Sequence, residues 1–326
     1  MTTNQKSRHH VHLAIREAIR LTIVDPNVTL IDYGWRIRDN VLRDKEPPCI
    51  RVHVIKKFAE SELEAAIQVG ITKAKIPEKI FGICVDVPVG YYQLGQRWWG
   101  RWRPPADPRR GRVMPMQGGI SVSDAYRYIA GTLGGLVFDR ATGDPMILSN
   151  FHVLAGSWHA RPGWPIYQPG RFDGGSWSDR VARLSRHAMA DNLDAAVAEL
   201  TGERQLINNQ FGLNAPVSGA GWAQLGMRVK MSCRTTGVSR GRVTGILGDS
   251  PHYYSGVEKR IRNVINIMPR EEIGDVSSNG DSGAFWLDED TMNVVGLHFA
   301  QNSLRPQDGL AIDILPILEA LNVGIA

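Results

Sequence analysis

Three short segments in the C-terminal part of the chain carry side chains suited to acyl transfer. His152 ends an apolar run, Asp194 stands just before another, and Ser282 lies in the glycine-containing segment 279–284. A serine nucleophile needs a base that takes its hydroxyl proton and a carboxylate that orients that base. Histidine suits the first role because its ordinary pKa, about 6.5, lies near neutral pH. The pattern predicts a nucleophile at Ser282, a general base at His152 and an orienting acid at Asp194.

The turn around the serine also suits the stabilisation of negative charge. Gly280 lets the backbone turn tightly, so that its N–H and that of Ser282 can point at one oxygen. Backbone donors aimed at a developing oxyanion are worth roughly 3–4 kcal/mol each. The sequence therefore predicts an oxyanion hole formed by Gly280 and Ser282.

Each of these segments also has a purely structural interpretation. A Gly-Asp-Ser-Gly sequence can be a simple turn, His152 can be a hydrogen-bonded core residue, and Asp194 can be a turn residue at a strand edge. Asp191 is a second candidate for the acid. The order His, Asp, Ser is that of chymotrypsin and differs from the orders in subtilisin and the α/β-hydrolases. Within a β-rich region, that order favours the catalytic interpretation.

The elements that must position these residues are mainly β-strands. From about residue 118 onwards, short β-rich runs such as MRVKMS and NVVGLHF recur between turn signals, and a helix is predicted only at 314–322. Many short strands at this spacing indicate an all-β sandwich or a pair of barrels. Upstream, the sequence predicts a small α+β domain at residues 1–93 and a linker rich in Trp, Arg and Pro at residues 94–117.

The elements of the α+β domain follow from hydrophobic periodicity. Apolar residues at helical spacing predict an amphipathic helix over 10–24. The run CIRVHVIKK at 49–57 alternates apolar with polar residues, which predicts a half-buried strand. The run IFGICVDVP at 80–88 predicts another strand.

The excess of positive charge is confined to the predicted linker. The 326 residues include 38 basic and 33 acidic ones, which gives a net charge of +5. Residues 97–112, RWWGRWRPPADPRRGR, contain six arginines and one aspartate and account for all of it. Aromatic and basic residues interleaved in this way suit single-stranded nucleic acid. The alternative, which we favour, is a linker whose tryptophans pack on the protein and whose arginines are solvated.

The composition indicates the class of protein and its compartment. Hydrophobic residues make up 43% of the chain and charged residues 22%, as in soluble globular proteins. No apolar run approaches the ~18 residues of a membrane span, and the N-terminal segment lacks a signal-peptide core. Cys49, Cys84 and Cys233 form neither a complete disulfide set nor a metal motif. We therefore expect a cytoplasmic protein that does not bind membranes.

Several segments between residues 118 and 326 match a known pattern. They read GTLGGLVFD, ILSNFHVLA, LDAAVAEL, RTTGVSRGRV, NGDSGAFW and VVGLHFA. Because of these segments, residues 118–326 resemble a trypsin-like serine protease of the chymotrypsin fold. The segments GGISV and YQPGRFDGG, and more weakly IRVHVIKK, are similar to intracellular bacterial relatives of the plant narrow-leaf proteases. The resemblance implies two six-stranded β-barrels with the active site in the cleft between them, hydrolysis of peptide bonds, and no metal or organic cofactor.

The resemblance also implies where a substrate side chain would bind. The implied pocket residues are Val276, Ser277, Asn279, Phe299 and Gln301. An acid at the base of the pocket would select Arg or Lys. Val276 occupies that position in an ungapped comparison, and Asp275 lies one residue away. Both a basic and a small or apolar preference stay open.

Two neighbours of the candidate residues carry further expectations. In animal relatives, the residue at the position of Asp281 pairs with a new N-terminus after zymogen cleavage. No such N-terminal sequence precedes the barrel opening at 130–132, so we expect Asp281 to anchor its own loop through local hydrogen bonds. Phe151, directly before the histidine, is expected to alter access to the cleft.

The sequence leaves three hypotheses for the function. The first is a serine endopeptidase that acts on a protein or peptide substrate. Its N-terminal domain would then scaffold it, regulate it, or bring copies or partners together. The second is a protease-like binding or scaffold module with a restricted active site. The third, which we do not favour, is association with nucleic acid through residues 97–112.

Overall fold

The computed structural model describes residues 3–22, 24–38, 41–73, 75–94, 107–213, 215–270, 276–303 and 308–325. Most strands in these ranges belong to two large sheets, one of eight strands and one of twelve. The predicted mainly β class is therefore confirmed. None of the described helices is long and apolar enough to cross a lipid bilayer.

The described N-terminal elements are helices and short strands. They are α1 (Thr3–Thr22), β1 (Val28–Gly34), β2 (Ile37–Arg38), β3 (Val41–Leu42), β4 (Cys49–Val54), α2 (Glu60–Gln68), β5 (Lys79–Ile80), β6 (Ile83–Asp86) and β7 (Tyr92–Leu94). Helix α1 begins earlier than its periodicity predicts and packs through Ala14, Ile15 and Ala18 against β1 and β4. The strand predicted at 80–88 is divided, because Phe81 and Gly82 have positive φ and form a turn between β5 and β6.

Strand β4 is buried on both faces, so the prediction of a half-buried strand is wrong. Arg51 and His53 are as fully buried as the apolar residues beside them. The Arg51 guanidinium donates to both carboxylate oxygens of Asp32 on β1, with Nε 2.6 Å from Oδ1. A charged side chain can be buried when a partner of opposite charge is buried with it. Sequence alternation alone does not reveal that partner.

The remaining elements start at residue 116. They are β8 (Met116–Gly118), β9 (Ser121–Asp124), β10 (Gly131–Thr132), β11 (Gly135–Asp139), β12 (Pro145–Ser149), α3 (Phe151–Leu154), β13 (Pro165–Tyr167), β14 (Arg180–His187), β15 (Ala196–Leu200), β16 (Leu206–Gln210), β17 (Gly219–Ala220), β18 (Arg228–Cys233), β19 (Gly237–Tyr254), β20 (Val257–Pro269), β21 (Phe285–Asp288), β22 (Asn293–Asn302), β23 (Gly309–Asp313), α4 (Ile314–Ala320) and β24 (Val323–Gly324). Helix α4 lies where the C-terminal helix is predicted.

The first large sheet holds the candidate base and acid. Its strand order is β10-β9-β13-β14-β15-β12-β11-β24, and every pair is antiparallel. His152 follows β12, and Asp194 precedes β15, the neighbour of β12. One sheet therefore brings together residues that are 42 positions apart.

The second large sheet holds the candidate nucleophile and includes the N-terminal strands. Its main path is β18-β21-β22-β23-β20-β19-β1-β4-β6-β5, with β17 and β7 also paired to β22. Strand β1 pairs with β19, so that Ile31 lies opposite Asp249 and Gly34 opposite Gly245. Backbone pairing thus joins the two predicted domains into one sheet. The boundaries at residues 93 and 117 stay predictions.

The described end of the predicted linker packs against the protein. The Arg109 guanidinium lies 4.8 Å from the centre of the Phe211 ring and donates to the Phe211 carbonyl at 3.2 Å. The expectation of solvated arginines is therefore wrong for Arg109, whereas Arg112 is exposed. Trp98, Trp99 and Trp102 lie outside the described residues. Nucleic-acid association through this segment stays a prediction.

Candidate active site

His152 and Asp194 approach each other because they flank neighbouring strands. Strands β12 and β15 pair with Ser149 opposite Ala196, so the segment leaving β12 runs beside the segment entering β15. His152 stands on α3, the single helical turn after β12. Asn150 Nδ2 donates to the Asp194 carbonyl oxygen at 2.7 Å and holds the two segments together.

The imidazole of His152 and the carboxylate of Asp194 are in direct contact. His152 Nδ1 lies 2.5 Å from Asp194 Oδ2, and the His152 backbone N–H donates to Oδ1 at 3.1 Å. Asp194 is fully buried. Because an ionised carboxylate only accepts, Nδ1 carries the proton and the lone pair of the neutral ring is on Nε2. Asp191, the alternative acid, lies exposed at the end of a 3₁₀ turn.

Tyr254 also binds the Asp194 carboxylate. From the end of β19, its hydroxyl donates to Asp194 Oδ2 at 3.0 Å. Burial and the neighbouring Asp194 charge raise the pKa of Tyr254 well above 10, so the hydroxyl keeps its proton at neutral pH. Sequence reasoning missed this residue, because it lies 60 positions from the acid and no local pattern marks it.

Two glycines and Thr132 shape the loop that carries Ser282. Gly280 and Gly283 both have a φ of +99°, a conformation that glycine adopts without strain. A Cβ on Gly283 would lie 2.1 Å from Ser149 Oγ. Thr132 on β10 donates from its N–H to the Ser282 carbonyl at 2.8 Å and from Oγ1 to the Gly280 carbonyl at 2.9 Å. These bonds tie the loop to the first sheet.

Asp281 anchors its own loop as predicted, but three of its four hydrogen bonds come from Thr235 and Thr236 on another segment and one is local. Its Oδ1 accepts from the N–H groups of Thr235 and Thr236 at 2.8 and 3.1 Å. Its Oδ2 accepts from the Ser278 N–H at 2.7 Å and from the Thr236 hydroxyl at 2.5 Å. Asp281 is fully buried, and these four hydrogen bonds satisfy both of its oxygens.

The neighbouring carbonyl groups set the directions of the Gly280 and Ser282 N–H groups. The Asn279 carbonyl accepts from a threonine hydroxyl at 2.8 Å, and the Asp281 carbonyl accepts from the Ala284 N–H at 3.1 Å. In a trans peptide, the N–H points opposite to the C=O. The N–H groups of Gly280 and Ser282 therefore point away from these partners, and both residues line the same cavity.

His152 and Ser282 line one cavity of about 450 Å³. Ser282 is 7% exposed, and its hydroxyl donates to the Phe299 carbonyl oxygen at 3.4 Å. Rotation about the Cα–Cβ bond moves a serine hydroxyl between staggered positions. The Ser282 hydroxyl is thus bonded to the main chain, and rotation about its Cα–Cβ bond alone moves it to another staggered position.

The residues predicted as pocket walls lie in two different environments. Asn279 lines the cavity, and its Oδ1 accepts from Gln301 Nε2 at 3.2 Å. The side chains of Val276, Ser277 and Phe299 are buried. The Phe299 ring packs edge-on against a buried histidine, with the ring centres 5.0 Å apart. Their assignment as a substrate pocket stays a prediction.

Phe151 is a core residue, so the expectation that it alters access to the cleft is wrong. It is 1% exposed, and its ring packs against Trp158, His187 and Tyr254. Successive residues of a helix point about 100° apart, since a turn takes 3.6 residues. On α3, His152 therefore reaches the cavity while Phe151 packs on the tyrosine that binds Asp194.

Comparison with known proteins finds similarity in fold only. No protein-family model and no curated protein matches the chain. Among solved structures, Nocardiopsis protease (NAPase) is 18% identical, with a TM-score of 0.48 over 64% of this chain and 97% of that one. A glutamic acid-specific serine protease is 16% identical, with a TM-score of 0.49 over 65% of this chain and 100% of that one. A Cellulomonas bogoriensis chymotrypsin is 19% identical, with a TM-score of 0.46 over 65% of this chain and 98% of that one. At these values, the functional argument rests on the site alone.

Proposed function

We propose that this chain is a serine endopeptidase that hydrolyses peptide bonds in protein or peptide substrates. The observation that carries the proposal is the 2.5 Å contact between His152 Nδ1 and a fully buried carboxylate, at the wall of a cavity that Ser282 also lines. Such a pair orients a histidine and stabilises its protonated form during catalysis. A histidine that only fills a core needs no carboxylate to orient its ring or to stabilise its protonated form.

The reaction begins when Ser282 Oγ attacks the carbonyl carbon of the substrate and His152 Nε2 takes the hydroxyl proton. Asp194 stabilises the imidazolium, and the N–H groups of Gly280 and Ser282 bind the oxyanion. Collapse of the tetrahedral adduct breaks the C–N bond as His152 passes its proton to the leaving amine. Water then attacks the acyl-serine and gives a proton to His152, which acts as the base a second time. His152 returns this proton to Ser282 Oγ as the ester bond breaks. The products are a carboxylic acid and an amine.

A fluorophosphonate probe tests for the activated serine. We expect one label, located on Ser282 by peptide mass spectrometry, and no label on Ser282→Ala. Ser178→Ala is the matched control, because Ser178 is exposed on a 3₁₀ turn away from the cavity. Absence of labelling in the folded wild-type protein, or equal labelling of Ser282→Ala, would overturn the proposal.

A binding module of protease shape is the second candidate function. It is favoured by the low exposure of Ser282 and by the bond of its hydroxyl to the Phe299 carbonyl. A peptide library separates the two functions. An endopeptidase cleaves members of the library and loses this cleavage in Ser282→Ala, whereas a binding module retains peptides without cutting them.

A further inference from the structure

The chain's own strand β7 occupies the edge of β22 beside Ser282. Strand β21 pairs with this edge only as far as Leu297, and β23 holds the opposite edge. Further along, β7 pairs with β22, and its Leu94 lies opposite Ala300. Between the two pairings, the Ser282 hydroxyl contacts the Phe299 carbonyl. Along β22 towards its C-terminal end, β7 is thus the first strand that pairs with this edge after the contact with Ser282.

Strand β7 also runs in the direction that a substrate would take. The pairing is antiparallel, with Gln93 opposite Gln301 and Leu94 closer to the nucleophile. The chain therefore approaches Ser282 from N-terminus to C-terminus. The acyl side of a peptide substrate approaches in the same sense, because the attacked carbonyl lies at its C-terminal end. Leu94 also lines the cavity with His152 and Ser282.

Contacts with the N-terminal strands fix the position of β7. The Tyr92 hydroxyl lies 3.1 Å from His53 Nδ1 on β4 and accepts from Asn266 Nδ2 on β20 at 3.3 Å. Tyr92 is 3% exposed. On the β22 side, the Tyr91 N–H donates to Asn302 Oδ1 at 3.2 Å. The register of β7 on β22 is thus set from both sides.

Extended peptides bind exposed sheet edges by adding a strand, mainly through backbone hydrogen bonds. One edge pairs with one strand at a time, so β7 and the acyl side of a substrate compete for the edge beside Ser282. Gln93 and Leu94 are only partly buried, in contrast to Tyr92. Release of these two residues would clear the edge while the Tyr92 anchor stays in the core.

We propose that β7 is an autoinhibitory strand that holds, within the same chain, the edge on which the acyl side of a peptide substrate pairs. The inference rests on the proposed function and adds its regulation. Substrates with one residue on the acyl side reach Ser282 with β7 in place. Longer substrates bind only when Gln93 and Leu94 leave β22.

Proline at position 93 tests the competition directly. The Tyr91 carbonyl accepts from the Ser303 N–H at 2.7 Å, so the polar backbone groups of Gln93, two residues on, face the same edge. Gln93→Pro removes an N–H that faces β22. Gln93→Ala keeps it and is the matched control.

The readout is kcat/KM for substrates with one to four residues on the acyl side and a constant leaving group. In the wild type and Gln93→Ala, we expect kcat/KM to fall at least tenfold from one residue to four. In Gln93→Pro, we expect the four-residue value to rise about fivefold above wild type, the effect of losing about one backbone hydrogen bond. The same length dependence in Gln93→Pro and Gln93→Ala would overturn the inference.

A cross-strand disulfide provides a second test that does not depend on the folding of the proline variant. Gln93 and Gln301 are register partners, so Gln93→Cys with Gln301→Cys can lock β7 onto β22. We expect the oxidised form to cleave the four-residue substrate at least tenfold more slowly than the reduced form. Fluorophosphonate labelling of the two forms should agree within about twofold. Equal cleavage by both forms would contradict the inference, and absence of labelling in every form would overturn the proposed function with it.

Discussion

The two halves of the proposed site are held in different ways. The Asp194 carboxylate at the first sheet accepts from His152 of that sheet and from Tyr254 of the second sheet at 2.5–3.1 Å, and the acid is fully buried. On the second sheet, the Ser282 hydroxyl makes one 3.4 Å contact with a main-chain carbonyl. The backbone of its loop, by contrast, is bonded to Thr132 and anchored by Asp281.

This difference follows from what each half must bury. A buried carboxylate is costly unless its oxygens are hydrogen-bonded, so the Asp194 side has to be preorganised for the protein to fold. A serine hydroxyl is small and turns about one bond, so the second sheet needs only to fix the backbone around it. His152 is therefore oriented before substrate arrives, whereas the Ser282 hydroxyl must rotate about its Cα–Cβ bond to leave the Phe299 carbonyl.

The largest effects are expected from the two groups that exchange the proton. Ser282→Ala and His152→Ala should each reduce kcat by roughly 10⁶-fold, because neither group acts without the other. The double variant should be no worse than either single one by more than a small factor. Steady-state kinetics on one peptide substrate measures all three, and multiplicative losses would show that the residues do not act as a unit.

Replacing the acid should cost less than removing the base. Asp194→Asn is expected to lower kcat by roughly 10⁴-fold, because an amide can donate to Nδ1 and favour the wrong tautomer. Asp191→Asn serves as control and should leave kcat within about twofold, since Asp191 is exposed. A larger loss in Asp191→Asn would transfer the orienting role to that residue.

Gly280→Ala should reduce kcat by roughly 10²–10³-fold through loss of one oxyanion donor. At φ +99° an added Cβ would lie 2.6 Å from Arg234 Nη1, so the peptide group must shift. Gly143→Ala controls for backbone strain, because Gly143 has φ +78° and open space around it. Comparable losses of kcat in the two variants would refute the oxyanion role of Gly280.

Tyr254→Phe should lower kcat/KM by about tenfold, because Asp194 loses one hydrogen-bond donor while it stays buried. Tyr126→Phe is the matched control, since Tyr126 is exposed and does not line the cavity. An unchanged kcat/KM in both variants would limit Tyr254 to packing.

A smaller effect is expected on stability in acid. Burial lowers the pKa of His252 to about 3, well below the ordinary histidine value near 6.5. The unfolded chain therefore binds a proton that the folded chain does not, and stability is lost as pH falls from about 6.5 towards 3. Between the two pKa values, the slope for this one proton approaches about 1.4 kcal/mol per pH unit. Urea unfolding at pH 7 and pH 5 should show a weaker pH dependence in His252→Gln than in His12→Gln, an exposed control.

The sequence reveals the candidate site better than its surroundings. His152, Asp194 and Ser282 are recognisable because acyl transfer demands these residue types beside strand ends and a glycine turn. Tyr254 carries no such mark, since it reaches the acid only through the length of the β19–β20 hairpin. Its contact depends on tertiary packing, which local patterns do not encode.

The same limit applies to the N-terminal region. The periodicity of its helix and strands is visible in the sequence, but the burial of Arg51 depends on Asp32 of a neighbouring strand. Likewise, β7 is three residues long, too short for any pattern, and its place beside Ser282 comes from pairing with a strand about 200 residues later.

The shared twelve-stranded sheet has a consequence for the solubility of shorter forms of the chain. A chain that began at residue 107 would lack β1 and would expose the backbone groups of β19 around Gly245 and Asp249. It would also leave the edge of β22 without β7. Unpaired edges of this kind join edge to edge between molecules. Loss of the N-terminal segment would therefore free the edge of β22 beside Ser282 and create a self-associating surface in the same event.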